Sequence, residues 1–120
     1  MSTIPAHSVG LCSGRHSIPV EEYIFNGEVQ NPLDFAELNR IAEGFVKSHC
    51  NIRETYGVNP AQIDYTDVRR LEGDELNVVV TGLTPCTTAV MWACSCYGVP
   101  LTLWHYNRET GDYVPQRFQF

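Results

Sequence analysis

Between Leu76 and Tyr106 the sequence leaves almost no residue outside a regular element, and this stretch limits the possible folds more than any other. Leu76 to Val80 (Leu-Asn-Val-Val-Val) is a β-branched and apolar run without helical spacing, which predicts a buried strand. Thr81-Gly82-Leu83-Thr84 predicts a tight corner. Thr84 suits an N-cap, and Pro85 suits the first helical position, where its missing N–H costs nothing. The helix is expected to run to Tyr97, with Gly98 closing it in a left-handed C-cap. Val99 to Tyr106 reads as a second strand. Strand, corner, helix and strand compose a βαβ unit, which implies parallel strands and a right-handed crossover. The class that follows is α/β.

The flanking segments fit around this unit. Ser8 to Cys12 is a short candidate strand interrupted by Gly10, and Pro19 to Phe25 is a candidate extended segment ending in the turn signal Asn26-Gly27. The clearest helix is expected to open with Asn31 as N-cap and Pro32 at the first position, and to end near His49. Leu38, Ile41, Ala42 and Phe45 recur on one face of it, while Glu37, Arg40, Glu43 and Lys47 take the other. Asn51 to Asp74 shows no clear period: part of it reads as an irregular connection or insertion, Asn59-Pro60 signals the start of a turn or a short helix, and Arg69-Arg70 reads as a solvated turn, with a ligand-facing basic pair as the alternative. Tyr106 to Tyr113 predicts a hairpin connection in which Gly111 takes the left-handed position. Tyr113 to Phe120 alternates, and Pro115 places it at a sheet edge. The sheet is therefore expected to be mixed and mostly parallel, flanked by helices, with an antiparallel carboxyl-terminal hairpin.

At 120 residues, 43% apolar and 18% charged, the chain is expected to form one globular domain over residues 1–120. Its formal net charge of −6 argues against coating long nucleic acid, where affinity rests on Lys and Arg. The sequence contains neither a long apolar run nor a basic-then-apolar leader, so the expected location is the cytoplasm, with no membrane partner. Five cysteines are then expected as reduced thiols. They show no paired zinc spacing, so neither a metal nor a cofactor is expected.

Two corners carry chemistry. In open α/β sheets ligands bind outside the carboxyl ends of the strands. The Thr81–Thr84 corner lies at such an end, with N–H groups of the following helix available to an anion and hydroxyls of Thr81, Thr84, Thr87 and Thr88 as further donors. The second corner is Ser13-Gly14-Arg15-His16, after the first candidate strand. Arg15 suits a bidentate phosphate contact, and His16 titrates near neutrality and can exchange a proton with a ligand hydroxyl. The two corners meet if the first strand lies parallel to and beside Leu76–Val80.

Val79-Val80-Thr81-Gly82-Leu83-Thr84, the small-residue helix, Gly98-Val99-Pro100-Leu101-Thr102-Leu103 and Thr110-Gly111-Asp112-Tyr113 together resemble the carboxyl-terminal part of CRISPR-associated Rossmann-fold (CARF) domains. The Ser13-Gly14-Arg15-His16 corner is similar to the nucleotide-contacting loop of small members. Leu83 stands where that family often has a second Gly, and no Lys follows Thr84. The resemblance implies a small Rossmann-like homodimer that binds a cyclic oligoadenylate messenger of antiviral defence. It also implies metal-independent opening of the ring, as in the stand-alone ring nucleases. Ser13, Gly14, Thr81, Gly82, Leu83, Thr84 and Thr87 would line the pocket, with His16 as the proton-transfer group and Arg15 stabilising charge. Two alternatives stand beside it: a non-catalytic sponge or sensor for the same ligand, and a small α/β protein-interaction module. The last would use Tyr23, Phe25, Trp104, Tyr113, Phe118 and Phe120.

Overall fold

The computed structural model of the chain describes residues 4–13, 18–27, 29–58 and 67–120. Along the chain run β1 (Val9–Cys12), β2 (Tyr23–Phe25), α1 (Phe35–His49), β3 (Arg53–Val58), β4 (Asp67–Glu72), β5 (Leu76–Val79), α2 (Thr84–Tyr97), β6 (Leu101–Asn107) and β7 (Asp112–Phe118). The expected βαβ unit is β5-α2-β6, with β5 and β6 parallel from Leu76↔Leu101 to Val79↔Trp104. The main sheet has the order β2-β1-β5-β6-β7. β1 is parallel to both β2 and β5, and β7 closes the margin antiparallel to β6. Pro115 sits in that edge strand, where a missing ladder donor faces no further strand.

Alternation along the strands divides the sheet into two faces. Leu76 and Val78 of β5 and Leu101 and Leu103 of β6 join one core cluster with Val9 and Leu11. Asn77, Thr102 and Trp104 point the other way, where the Trp104 indole N–H donates to Asn77 Oδ1 at 3.0 Å and the Thr102 hydroxyl to Glu75 at 3.0 Å. α1 and α2 pack against each other over the first face. α1 buries Leu38, Ala42 and Val46, with Ile41 and Phe45 partly buried beside them. Each fully buried Leu or Val contributes about 1.5–3 kcal/mol against about 1 kcal/mol for a typical helix cap, so this stripe does most to fix the helix in place.

Four local expectations are corrected. α1 opens at Phe35, not at Pro32, because Asp34 caps it by accepting from the Glu37 N–H at 3.3 Å. Asn31 instead closes a preceding turn, accepting from Leu33 N–H at 3.0 Å. At α2 the N-cap is Leu83, without a side-chain cap bond, and Thr84 is already helical. The described residues within Asn51–Asp74 hold more regular structure than expected: β3 and β4 pair antiparallel as a separate two-stranded sheet, and Arg69-Arg70 lies within β4 rather than in a turn. The chain ends of this pair are held by Arg53, which pairs with Glu72 and with Asp74, each at 3.0 Å. Charged residues at these positions hide the period on which strand prediction depends. The Asn59-Pro60 turn signal lies outside the described residues.

Gly10 does not break β1. A Cβ there would run into the Tyr23 ring and the Ile18 side chain, so glycine is what lets the segment after β1 fold back onto the strand. His49, at the carboxyl end of α1, stacks on Phe45 with ring centroids 3.8 Å apart and meets Glu22 at 2.7 Å.

Candidate active site

β1 and β5 are neighbours, and from them the chain leaves in opposite directions, toward β2 on one side and β6 on the other. Their boundary is the point of reversal at which open α/β sheets hold ligands. The parallel pairing of β1 and β5 brings their carboxyl ends together, as the sequence argument required. The Cys12 N–H donates to Thr81 Oγ1 at 3.2 Å, and that hydroxyl donates to the Cys12 carbonyl at 3.4 Å. Thr81 is 4% exposed, so its side chain ties the two strand ends together below the surface.

The other members of the first corner divide by role. Gly82 has φ +95°, a conformation that side chains disfavour, and it is exposed. Leu83 packs against the core. Thr84 is exposed at the start of α2. The Thr87 hydroxyl donates to the Leu83 carbonyl at 3.4 Å, and Thr88 turns back to the Thr84 and Pro85 carbonyls. The helix start offers fewer donors than expected. Pro85 has none, and the N–H groups of Cys86 and Thr87 both point to the Leu83 carbonyl at 3.1 Å. Of residues 84–87, at most Thr84 can present a backbone donor to a guest.

At the second corner, Ser13 accepts from the Gly27 N–H at 2.7 Å, tying the end of β1 to the turn after β2. Gly14, Arg15 and His16 lie outside the described residues.

Sequence reasoning passed over the third wall. A cleft of about 560 Å³ opens beside the Thr81-Gly82 corner, lined by Ile18, Val79, Val80, Thr81, Gly82, His105, Tyr106, Arg108 and Tyr113. The volume suits a nucleotide-sized ligand. His105 and Tyr106 come from the carboxyl end of β6, Arg108 from the hairpin turn and Tyr113 from β7. The Tyr106 and Tyr113 rings stand edge-to-face, with centroids 5.4 Å apart and planes at 85°. His105 Nε2 lies 2.9 Å from Gln116 Oε1, which orients the imidazole. The chain carries 14 acidic residues, yet no carboxylate is among the described residues lining this cleft. A signal for this wall was present: parallel β5 and β6 must end on the same side, so the residues after Trp104 were bound to face the corner after Val79.

The arrangement provides a guanidinium, an imidazole, two aromatic rings and an exposed glycine backbone around one opening. That set is able to neutralise an anion, exchange a proton and hold a flat ring. Comparison of the chain with protein-family models, with curated proteins and with solved structures finds no match.

Proposed function

We propose that the protein binds a cyclic oligonucleotide messenger of the oligoadenylate type in this cleft and opens its ring without a metal. The observation that carries the reading is the cleft itself. It opens beside the reversal point of an α/β sheet, presents Arg108 and His105, and has no carboxylate among its described lining residues in an otherwise acidic chain. Such a local balance favours a phosphate over a cation. The Thr81-Gly82 corner and the end of β1 stand together, as a ligand spanning both corners would need.

In the ring opening, a ribose 2′-oxygen attacks the adjacent phosphorus, the P–O5′ bond breaks, and a linear product with a 2′,3′-cyclic phosphate forms. The 2′-hydroxyl proton goes to a base, and a proton is delivered to the leaving 5′-oxygen. Positioning supplies much of the acceleration in such an intramolecular attack. His16 with Arg15 is the pair assigned to proton transfer and charge stabilisation, and His105 is a second imidazole on the cleft wall. The ligand would be shared across a homodimer, with no cofactor.

The protein-interaction reading fits less well. Phe25 is 2% exposed and Trp104 7% exposed, so the six aromatics assigned to it do not form one surface cluster. The test is incubation with cyclic di-, tri-, tetra- and hexanucleotides in chelator, followed by thermal shift and chromatography. A ligand that raises the melting temperature and returns linear supports the enzyme. A stabilising ligand that returns intact supports the sponge, and stabilisation by none removes the nucleotide reading.

A further inference from the structure

We infer that the hairpin wall of the cleft is a base-recognition platform, on which one nucleobase lies flat on Tyr106 with Tyr113 edge-on beside it and Arg108 on the adjoining phosphate. The inference deepens the cyclic-oligonucleotide reading by naming the residues that would select a base, and it rests on that reading.

Tyr106 is 53% exposed although it follows the buried Trp104 on the same face of β6. An aromatic ring this open at a cleft wall is able to take a flat partner on its free face. The right angle between Tyr106 and Tyr113 makes a corner of two planes, so a ring that stacks on one meets the other at its edge. Stacked and edge-to-face contacts are the two arrangements that aromatic quadrupoles favour. The two residues are also directly paired across β6 and β7, so the backbone ladder sets their spacing. The corner is therefore in place without a ligand.

Arg108 stands in the hairpin turn that follows Tyr106. It lines the same cleft and has no ion-pair partner among the described residues. A planar guanidinium suits the two oxygens of a phosphate. Base and phosphate are joined through one ribose in every nucleotide, so a stacking ring and a cation on one hairpin match a single nucleotide unit. A simple anion would need Arg108 but not the ring corner.

The test uses the full chain and four probes: a cyclic tetra-adenylate, adenosine 5′-monophosphate, ribose 5-phosphate and inorganic phosphate. Binding is measured by calorimetry for the parent protein, Tyr106→Phe, Tyr106→Ala and Arg108→Gln. Tyr106→Phe keeps the ring and is expected to bind as the parent does. Tyr106→Ala is expected to lose affinity for the adenine-containing probes on the order of tenfold to a hundredfold, the usual effect of removing one stacking ring. Arg108→Gln is expected to weaken the same probes and flatten their salt dependence. Ribose 5-phosphate and phosphate are expected to bind far more weakly than the monophosphate. Because Tyr106 is exposed, near-ultraviolet circular dichroism should show all three variants folded.

Equal binding by Tyr106→Ala and the parent would overturn the platform, as would equal binding of ribose 5-phosphate and the monophosphate, or no binding of any adenine probe. Monophosphate binding that depends on Tyr106, with no binding of the cyclic probe, would uphold the platform and refute the cyclic-messenger function.

Discussion

Thr81 is where the structure makes its sharpest mechanical claim. Its hydroxyl holds both the N–H and the carbonyl of Cys12, and so fastens the end of β1 to the end of β5 in a site with 4% exposure. Thr81→Val keeps the shape and removes both bonds. A polar group left buried without its partner costs about 1–3 kcal/mol. Thr81→Ser keeps the hydroxyl and removes one methyl, at about 1 kcal/mol. Unfolding entropy of about 2.1 cal/mol/K per residue makes each kcal/mol worth roughly 4 °C in a chain of 120 residues. Thr81→Val should therefore melt about 4–12 °C below the parent without any ligand, and below Thr81→Ser. Thermal unfolding followed by circular dichroism, with a urea titration for the free energy, makes the comparison. If Thr81→Val melts with the parent, or above Thr81→Ser, the hydroxyl does not hold the two strands. The ligand-donor role implied by the CARF resemblance would then be the better account of it.

Gly98→Ala should destabilise by about 1–3 kcal/mol, since φ is +63° and the added Cβ would strike the Leu71 carbonyl; an unchanged urea midpoint would contradict this. Cys96 is the exposed thiol, whereas Cys12, Cys50, Cys86 and Cys94 are buried. Desolvation pushes Cys94 up to about 12 and, with help from Asp74, Cys50 up to about 11. Brief alkylation of the native protein at pH 8 should thus label Cys96 alone, as read by peptide mass spectrometry, while early label on Cys94 would show that the helix pair opens. The Tyr97 hydroxyl donates to Glu43 at 2.5 Å, and this bond, with smaller desolvation and Coulomb effects, pushes it up to about 12. A raised value in the fold means that the bond's stabilisation is complete below the free tyrosine range near pH 10 and disappears by about pH 12. The stability gap between the parent and Tyr97→Phe should close over that interval, and a gap independent of pH would refute the assignment.

What could be read from the sequence follows from locality. The run Leu76–Val80, Pro85 in the first helical turn and Gly98 after the helix are signals within a few residues of what they specify. They gave the α/β class, the parallel pairing of β5 with β6 and, through Pro115 and Gly111, the antiparallel edge hairpin. The α1 stripe was equally plain because burial repeats at the helical period. Its start was misplaced because Asn31-Pro32 and Asp34 both carry capping chemistry, and only the geometry of the turn selects one of them.

The tertiary structure decided how distant groups share their hydrogen bonds. No local pattern tells that Thr81 turns to Cys12 rather than to solvent, or that Cys86 and Thr87 close on Leu83 and reduce the donors of the helix start. The parallel pairing of β5 and β6 implied that the residues after Trp104 face the corner after Val79, but only the folded sheet shows that Tyr106, Arg108 and Tyr113 complete a cleft there. Periodicity reports which face of an element is buried, because burial follows the pitch of the backbone. Which hydroxyl satisfies which amide depends on register between strands far apart in the chain, and that is set by packing of the whole sheet.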